Sequence, residues 1–206
     1  MHPSPNYKQI EELHADHKMR SRNIRNDNTY MHSVADRALH RPHYYFEKRV
    51  WACIRMQTAG LILDYGCGKG LQYTKWKHHE EIGVMPALYD PAVPEYEELP
   101  AGPFDGVYST DVMEHIPKEQ LPETFENIFS RAKKFVFLGI STRPSKTILP
   151  NGENAHCTVE AIDFWTSMVE KYASHKVYTH IKTYGDCNNY SILNEDLYLE
   201  WYLSQF

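Results

Sequence analysis

The chain has 206 residues, of which 42% are hydrophobic and 24% are charged, and its formal net charge is −5. This length suits one well-filled domain, and the composition is that of a globular protein rather than a disordered or fibrous one. No apolar run reaches the roughly 18 to 20 residues of a membrane span, and residues 1–5 are too polar for a secretory signal, which predicts a cytoplasmic protein that has no membrane partner.

Charge is unevenly distributed along the chain. Residues 1–50 carry nine Lys or Arg against six Asp or Glu, whereas the rest of the chain carries 13 against 21. The basic run at residues 18–25 lies in a polar stretch without apolar periodicity. This pattern predicts that residues 1–43 form an arm or lid and that residues 44–206 form the domain. Apolar residues at 43–58 predict an amphipathic helix leading into that domain.

Residues 61–70 read Leu-Ile-Leu-Asp-Tyr-Gly-Cys-Gly-Lys-Gly. The apolar run 61–63 predicts a strand buried on both faces, and Asp64 marks its carboxyl end. Gly66 and Gly68 allow the chain to turn sharply and bring backbone amides close to a ligand. The glycine spacing is tighter than that of nicotinamide-binding enzymes, and the Gly-Lys-Ser/Thr ending of a P-loop is absent, which disfavours a dinucleotide or ATP.

The segment after this loop predicts a second half of the same ligand site. Residues 72–80 predict a helix, and residues 86–90 predict a short strand that ends at Asp90, 22 residues after Gly68. A carboxylate at that distance can accept hydrogen bonds from both hydroxyls of a ribose. Residues 91–103 contain four prolines and leave little room for another helix and strand, so a third strand is expected to be short or missing.

Residues 104–116 read Phe-Asp-Gly-Val-Tyr-Ser-Thr-Asp-Val-Met-Glu-His-Ile. They predict a strand to about Ser109 with polar residues at its carboxyl end, where chemistry is placed in open α/β sheets. Beyond it the pattern predicts further elements in order: a helix at 119–133, a central strand at 135–141, a loop at 141–155, a helix at 158–172 capped by Thr158, and two antiparallel edge strands at 177–183 and 197–203.

The loop at 61–70, Asp90 and the segment 104–116 resemble motifs I, II and IV of the class I S-adenosylmethionine (SAM) dependent methyltransferases, and the resemblance covers residues 44–203. It implies a three-layer, Rossmann-like, doubly wound α/β sheet, mostly parallel, with an antiparallel edge strand. Because residues 91–103 depart from the family pattern, six strands are expected where the family has seven. The cofactor-binding residues that it implies are Asp64, Gly66, Cys67, Gly68, Asp90 and Thr110. At this point DNA-base methyltransferases carry either Asp/Asn-Pro-Pro-aromatic or a Pro-Cys nucleophile. This chain has Ser109-Thr110-Asp111-Val112 instead, so a DNA base is a disfavoured acceptor.

Asp111, Glu114 and His115 have the spacing D-x-x-E-H, and His156 lies in a loop predicted to open on the same edge of the sheet. Two carboxylates and two imidazoles suit Mg²⁺, Mn²⁺, Fe²⁺ or Zn²⁺. The pattern resembles the E-x-x-E-H plus downstream His of small-RNA 3′-terminal 2′-O-methyltransferases and the E-x-x-E-H of ubiquinone-pathway O-methyltransferases, with Asp in place of the first Glu. Without a metal, His115 or His156 is the candidate general base, and Asp111 completes the predicted catalytic set.

The function expected first is O-methylation of a small-molecule acceptor. An alternative is an RNA 2′-O-methyltransferase that uses a divalent metal, which the basic N-terminal run favours and the overall acidity opposes. A third interpretation is a SAM-binding protein without catalysis. The sequence indicates neither the acceptor nor the oligomeric state.

Overall fold

A computed structural model of the chain describes residues 60–75, 77, 79–80, 83–174, 177–184 and 190–197. The predicted arm at 1–43 and the predicted helix at 43–58 lie outside these residues. The strands are β1 (Ile62–Tyr65), β2 (Ala87–Tyr89), β3 (Phe104–Thr110), β4 (Ala132–Ser141), β5 (Tyr178–Tyr184) and β6 (Tyr190–Leu193). The main helices are α1 (Leu71–Thr74), α2 (Leu121–Arg131) and α3 (Ile162–Glu170), and short 3₁₀ turns lie at Pro94–Tyr96, Met113–His115 and Lys118–Gln120.

The described strands form one sheet in the order β2-β1-β3-β4-β5-β6. Strands β1 to β5 are mutually parallel, and β6 pairs antiparallel with β5 at the edge. Within the described residues, only a 3₁₀ turn and irregular backbone connect β2 to β3. The structure therefore confirms a mostly parallel, Rossmann-like sheet with an antiparallel edge and without the family's usual third strand.

Helices cover the two faces of this sheet unequally. Leu121, Phe125 and Ile128 recur at helical spacing on α2, and together with Trp165 of α3 they pack on one face. On the opposite face, Tyr73 of α1 packs beside strand residues. These contacts make three layers, as predicted. None of the helices in the described part of the chain is long and apolar enough to cross a bilayer.

Two predicted boundaries near the glycine loop are wrong. Leu61 lies outside β1 and is 67% exposed, because the buried strand begins only at Ile62. The helix predicted at 72–80 ends after a single turn at Thr74, and the positive φ of 57° at Lys77 is incompatible with a continuous helix. The sequence pattern overestimated the length of this helix.

Two later predictions also fail. Thr158 does not cap a helix, because α3 begins at Ile162 and Thr158 instead hydrogen-bonds to the segment that follows β3. The strand that pairs antiparallel with β5 is Tyr190–Leu193, a segment that the sequence pattern did not predict as a strand. Residues 195–197 are helical, and the remainder of the strand predicted at 197–203 lies outside the described residues.

Candidate active site

The order of the strands determines where a ligand can bind. From β1 the chain continues to β2 on one side, and then crosses back to β3 on the other side. In open parallel sheets, such a reversal opens a crevice at the carboxyl ends of the two central strands. The segments that follow β1, β2 and β3 carry the glycine loop, Asp90 and the acidic-histidine motif, so the topology brings together the three motifs found in the sequence.

Hydrogen bonds fasten the glycine loop to the end of β2. The N–H groups of Gly66 and Cys67 both donate to the carbonyl of Tyr89, at 2.7 and 3.0 Å. The N–H of Gly68 donates to Oδ2 of Asp90 at 2.8 Å. Gly66 has a φ of +88°, the left-handed region that favours glycine. The loop and the acidic residue predicted to share one ligand are therefore in direct contact.

Asp90 is buried, with only 8% of its surface exposed. Its Oδ1 accepts a hydrogen bond from the N–H of Ala92 at 2.9 Å, and its Oδ2 accepts the one from Gly68. A carboxylate offers about four lone-pair directions, so each of these oxygens can accept one bond more. A diol placed over the loop matches that remaining capacity.

Asp64 fixes the helix after the loop to β1. Its Oδ2 accepts from the hydroxyl of Tyr73 at 2.6 Å and from Nε2 of Gln72 at 3.0 Å. Gln72 also donates to the carbonyl of Cys67 at 3.0 Å. Burial raises the pKa of Asp64 from 3.8 to about 6, in spite of these hydrogen bonds and with a further increase from the charge of Asp90.

The segment after β3 turns sharply into the 3₁₀ turn Met113–His115. Thr110 is exposed at the end of the strand, and Asp111 adopts a φ of +57° while its N–H donates to the carbonyl of Gly139 at 2.9 Å. Aspartate tolerates this left-handed conformation better than most residues. The turn buries Glu114 and leaves His115 partly exposed.

A later loop docks onto this turn and brings the second histidine to it. Thr158 donates its N–H to the carbonyl of Glu114 at 3.0 Å and its hydroxyl to the carbonyl of Ile116 at 2.7 Å. The rings of His115 and His156 consequently meet edge to face, with their centroids 4.7 Å apart. The structure thus brings together two histidines that are 41 positions apart in the sequence.

Both imidazoles are held in the same way. Nδ1 of His115 lies 2.7 Å from the carbonyl oxygen of Ala155, and Nδ1 of His156 lies 2.7 Å from that of Arg143. A carbonyl oxygen only accepts, so each Nδ1 carries the proton, and in the neutral ring Nε2 keeps its lone pair. The two carbonyls therefore favour the same tautomer of the neutral ring in both histidines.

Glu114 completes the cluster. Its Oε1 accepts from the N–H of Ser141 at 3.0 Å, whereas its Oε2 is buried and lacks a hydrogen-bond partner in the described structure. Burial, and secondly the charge of Asp111, raises the pKa of Glu114 well above its ordinary value. A carboxylate oxygen of Glu114, a ring nitrogen of His115 and a ring nitrogen of His156 all lie within 4.8 Å of one another. Asp111 is not part of this group.

Comparison with known proteins identifies the family of this arrangement. A family model described as a methyltransferase domain matches residues 30–186, which is more than half of the chain. The chain belongs to the class I SAM-dependent methyltransferase family. The searches against curated proteins and against solved structures returned no match. The sequence resemblance and the fold are therefore confirmed, while the acceptor of this methyltransferase is left open.

The methyltransferase family implies SAM as the methyl donor. The loop geometry fits that donor, because a Cβ at Gly68 would meet no atom within 4 Å and would point into open space. Asp90 beside it has the acceptor capacity that a ribose diol requires. Thr110 lies at the exposed end of the neighbouring strand. Of the residues predicted to bind the cofactor, Gly68 and Asp90 are in contact and Thr110 is exposed, whereas Asp64 and Cys67 are buried. Their part in binding SAM stays a prediction.

The elevated pKa of Asp64 makes the stability of this methyltransferase dependent on pH. The folded state holds the Asp64 proton more tightly than the unfolded chain, so there is no penalty below pH 3.8 and the full penalty above about pH 6. We expect Asp64→Asn to be more stable than the wild type at pH 7.5, by on the order of 2 kcal/mol, and the advantage to shrink toward pH 4.5. Urea unfolding of both proteins at the two pH values measures this difference.

The exposed Glu97 provides the control for this prediction, because Glu97→Gln removes a carboxylate that remains in water. Its stability difference from the wild type should be close to zero at both pH values. If Asp64→Asn were the less stable protein at pH 7.5, the ionised Asp64 would be stabilising, and the assignment of burial as the dominant effect would be wrong.

Several residues that shape the site were not predicted from the sequence. Gln72 and Tyr73 hold Asp64, the N–H of Ser141 holds Glu114, and the carbonyls of Arg143 and Ala155 hold the two imidazoles. A usable sequence signal existed for Gln72 and Tyr73, because they open the helix that follows the glycine loop. The backbone groups carry no signal in the sequence, since any residue type supplies the same carbonyl or N–H.

Proposed function

We propose that this methyltransferase transfers the methyl group of SAM to an oxygen atom of a small-molecule acceptor. The observation that supports this proposal is the pair of imidazoles, His115 and His156, whose Nδ1 atoms both face backbone carbonyls. In the neutral rings the lone pair then lies on Nε2. A base of this kind is needed when the acceptor must lose a proton, as a hydroxyl must, and is not needed for a neutral amine.

The donor loop and the imidazoles are connected through Val112. The side chain of Val112 packs so closely over Gly66 that a Cβ at that position would lie 2.2 Å from Val112 Cγ2. Val112 begins the turn that carries Glu114 and His115. A donor held by the glycine loop would therefore lie beside the segment that supports the proposed base.

SAM supplies an electrophilic methyl group on a sulfonium, whose positive charge is lost in the transition state. The residues of this chain would contribute alignment and proton removal. Asp90 would accept the hydroxyls of the ribose, and the loop at 66–68 would offer backbone N–H groups and open space to the methionine portion. His156 or His115 would take the acceptor proton as the oxygen approaches the methyl carbon.

A panel of acceptors tests the proposal. Purified protein would be incubated with SAM and with hydroxylated small molecules, matched amines and short RNA oligonucleotides, and the demethylated donor would be measured. We expect turnover with hydroxylated small molecules. Turnover with RNA ends alone, with affinity that falls steeply as salt rises, would favour the RNA 2′-O-methyltransferase alternative. SAM binding without any product would favour the non-catalytic interpretation.

The substitution His156→Gln isolates the role of the base. We expect the rate of methyl transfer to fall by about 100-fold or more, because general-base catalysis contributes about that much. The affinity for SAM should stay within about threefold of the wild type, since the proposal assigns His156 to the acceptor and not to the donor. Calorimetry with SAM and steady-state turnover give the two values.

Glu153→Gln is the matched control, because Glu153 is exposed and lies in the same loop as His156. It should retain both turnover and SAM affinity. Unchanged turnover in both His156→Gln and His115→Gln would argue against an acceptor that must be deprotonated, and hence against oxygen as the methylated atom.

A further inference from the structure

We propose that Glu114, His115 and His156 form a binding site for one divalent transition-metal ion, with one carboxylate oxygen and two imidazole Nε2 atoms as ligands. The coordination positions not filled by protein would accept the hydroxyl oxygen of the acceptor. The proposal that a metal binds here is argued from the geometry of these three residues and does not depend on the proposed function. The catalytic role given to the metal rests on the proposed function as an O-methyltransferase.

The first argument is the distance between the ligand atoms. One ligand-type atom from each of the three residues lies within 4.8 Å of the other two. Zn–N and Zn–O bonds of about 2.0 to 2.2 Å place the ligands of one ion roughly 3 to 3.5 Å apart. The separations exceed that spacing by at most about 1.3 to 1.8 Å, and both histidines are only partly buried.

The second argument is the orientation of the two rings. Histidines that ligate a metal usually donate their other ring N–H to a carbonyl or carboxylate, which fixes the tautomer and the direction of the lone pair. Here both histidines meet that requirement independently, His115 through the carbonyl of Ala155 and His156 through the carbonyl of Arg143, each at 2.7 Å. The outer support of a metal site is therefore already built on two separate segments.

The third argument is the state of the Glu114 carboxylate. The side chain is completely buried, and the Ser141 N–H accounts for Oε1 only, while Oε2 has no hydrogen-bond partner in the described structure. No Lys or Arg in the described residues forms an ion pair with it. A buried polar atom without a partner costs about 1–3 kcal/mol, and a cation beside Oε2 would remove that cost.

The composition of the ligand set restricts the metal. Mg²⁺ and Ca²⁺ are bound almost entirely by oxygen, whereas imidazole nitrogen suits Zn²⁺, Fe²⁺ and related ions. Two nitrogens and one oxygen therefore favour Fe²⁺ or Zn²⁺ over Mg²⁺. Asp111 stands outside the cluster and affects the site through its negative charge near Glu114, so the site has three protein ligands rather than the four that the sequence pattern suggested.

Such an ion would act on the acceptor by lowering the pKa of its hydroxyl group. With both Nε2 atoms bound to the ion, neither imidazole could take the hydroxyl proton, which would pass to water; the metal would therefore replace the general base of the metal-free protein. The acceptor oxygen would then form a bond to the methyl carbon, while the bond from that carbon to sulfur breaks and leaves its electron pair on sulfur. The transfer consumes no redox equivalent, so an ion without redox chemistry is sufficient.

Metal binding can be measured on the purified full-length chain without donor or acceptor. The protein would be stripped with EDTA and dialysed against Zn²⁺, Mn²⁺, Mg²⁺ or, without oxygen, Fe²⁺, and the bound metal would be counted by elemental analysis. We expect about one transition-metal ion per chain and little Mg²⁺. Glu114→Gln, His115→Gln and His156→Gln should each weaken binding by about 100-fold or more.

Glu153→Gln provides the control, because it alters an exposed carboxylate on the same loop and should retain the ion. Circular dichroism and SAM calorimetry on every variant distinguish the loss of a ligand from misfolding. Absence of stoichiometric metal, or equal metal content in all variants, would overturn the site. Stoichiometric metal that requires the three residues, in a protein that methylates no hydroxyl, would overturn the proposed function and leave the site standing.

Discussion

Replacement of Asp90 by Asn is expected to weaken SAM binding by roughly 100-fold. A carboxylate that accepts hydrogen bonds from two ribose hydroxyls contributes about 1.5–3 kcal/mol for each, and the amide of Asn can accept through one oxygen only. One carboxylate oxygen of Asp90 also accepts the N–H of Gly68, in the glycine loop, and the other accepts the N–H of Ala92. The substitution replaces one of these two acceptors by an NH₂ group. Calorimetric titration with SAM measures the change.

The control for this prediction lies in the same connecting segment. Glu98 is exposed, so Glu98→Gln removes an equal charge near the site without removing a contact of the loop. Its affinity for SAM should equal that of the wild type. If Asp90→Asn bound SAM within about threefold of the wild type, the donor would not be held through Asp90, and the assignment of this acid to the ribose would fail.

Replacement of Gly66 by Ala is expected to lower the free energy of unfolding by roughly 2–4 kcal/mol and to abolish SAM binding. The φ of +88° disfavours any side chain by about 1–2 kcal/mol. In addition, the new Cβ would lie 2.2 Å from Cγ2 of Val112, and overpacking of this kind costs about 1–3 kcal/mol. Urea unfolding followed by calorimetry with SAM tests both effects.

Two other glycines separate backbone strain from the steric clash. Gly83 and Gly152 have φ values of +84° and +85°, and a Cβ at either position would meet no atom within 4 Å. Their Ala variants should therefore lose only the backbone share, about 1–2 kcal/mol. Val112→Ala in the Gly66→Ala background should restore part of the stability, because it removes the methyl groups that clash. A double-mutant cycle without such coupling would contradict the close packing of Val112 on the loop.

Apolar runs and prolines in the sequence predicted those strands and loops whose formation depends on the residues of the segment itself. An apolar run buried on both faces yields a parallel strand wherever the chain folds as α/β, and β1, β3 and β4 follow that rule. Four prolines between Asp90 and Phe104 prevented a regular helix and strand there, and the described structure has neither an α-helix nor a strand in that segment. The same reasoning missed the strand at 190–193, which pairs with β5; of the predicted strand 197–203, only residue 197 is described, and it is helical.

The prediction for Thr158 failed for a reason that local sequence does not contain. A threonine before an apolar-periodic segment is a plausible N-cap. In the folded chain, however, its N–H and hydroxyl bind the carbonyls of Glu114 and Ile116, 44 and 42 positions earlier. This tertiary contact is also what places His156 against His115.

Patterns in the sequence were enough to predict the fold class, the family and the residues at the carboxyl edge of the sheet, because glycine spacing and apolar runs depend on residue type along the chain. The tertiary structure set how those residues are presented. It selected the Nδ1 tautomer of both histidines through backbone carbonyls, left Oε2 of Glu114 buried without a partner, and placed Asp111 outside the cluster. The partners responsible are mostly backbone groups from distant segments, which every residue carries and which only folding brings into contact.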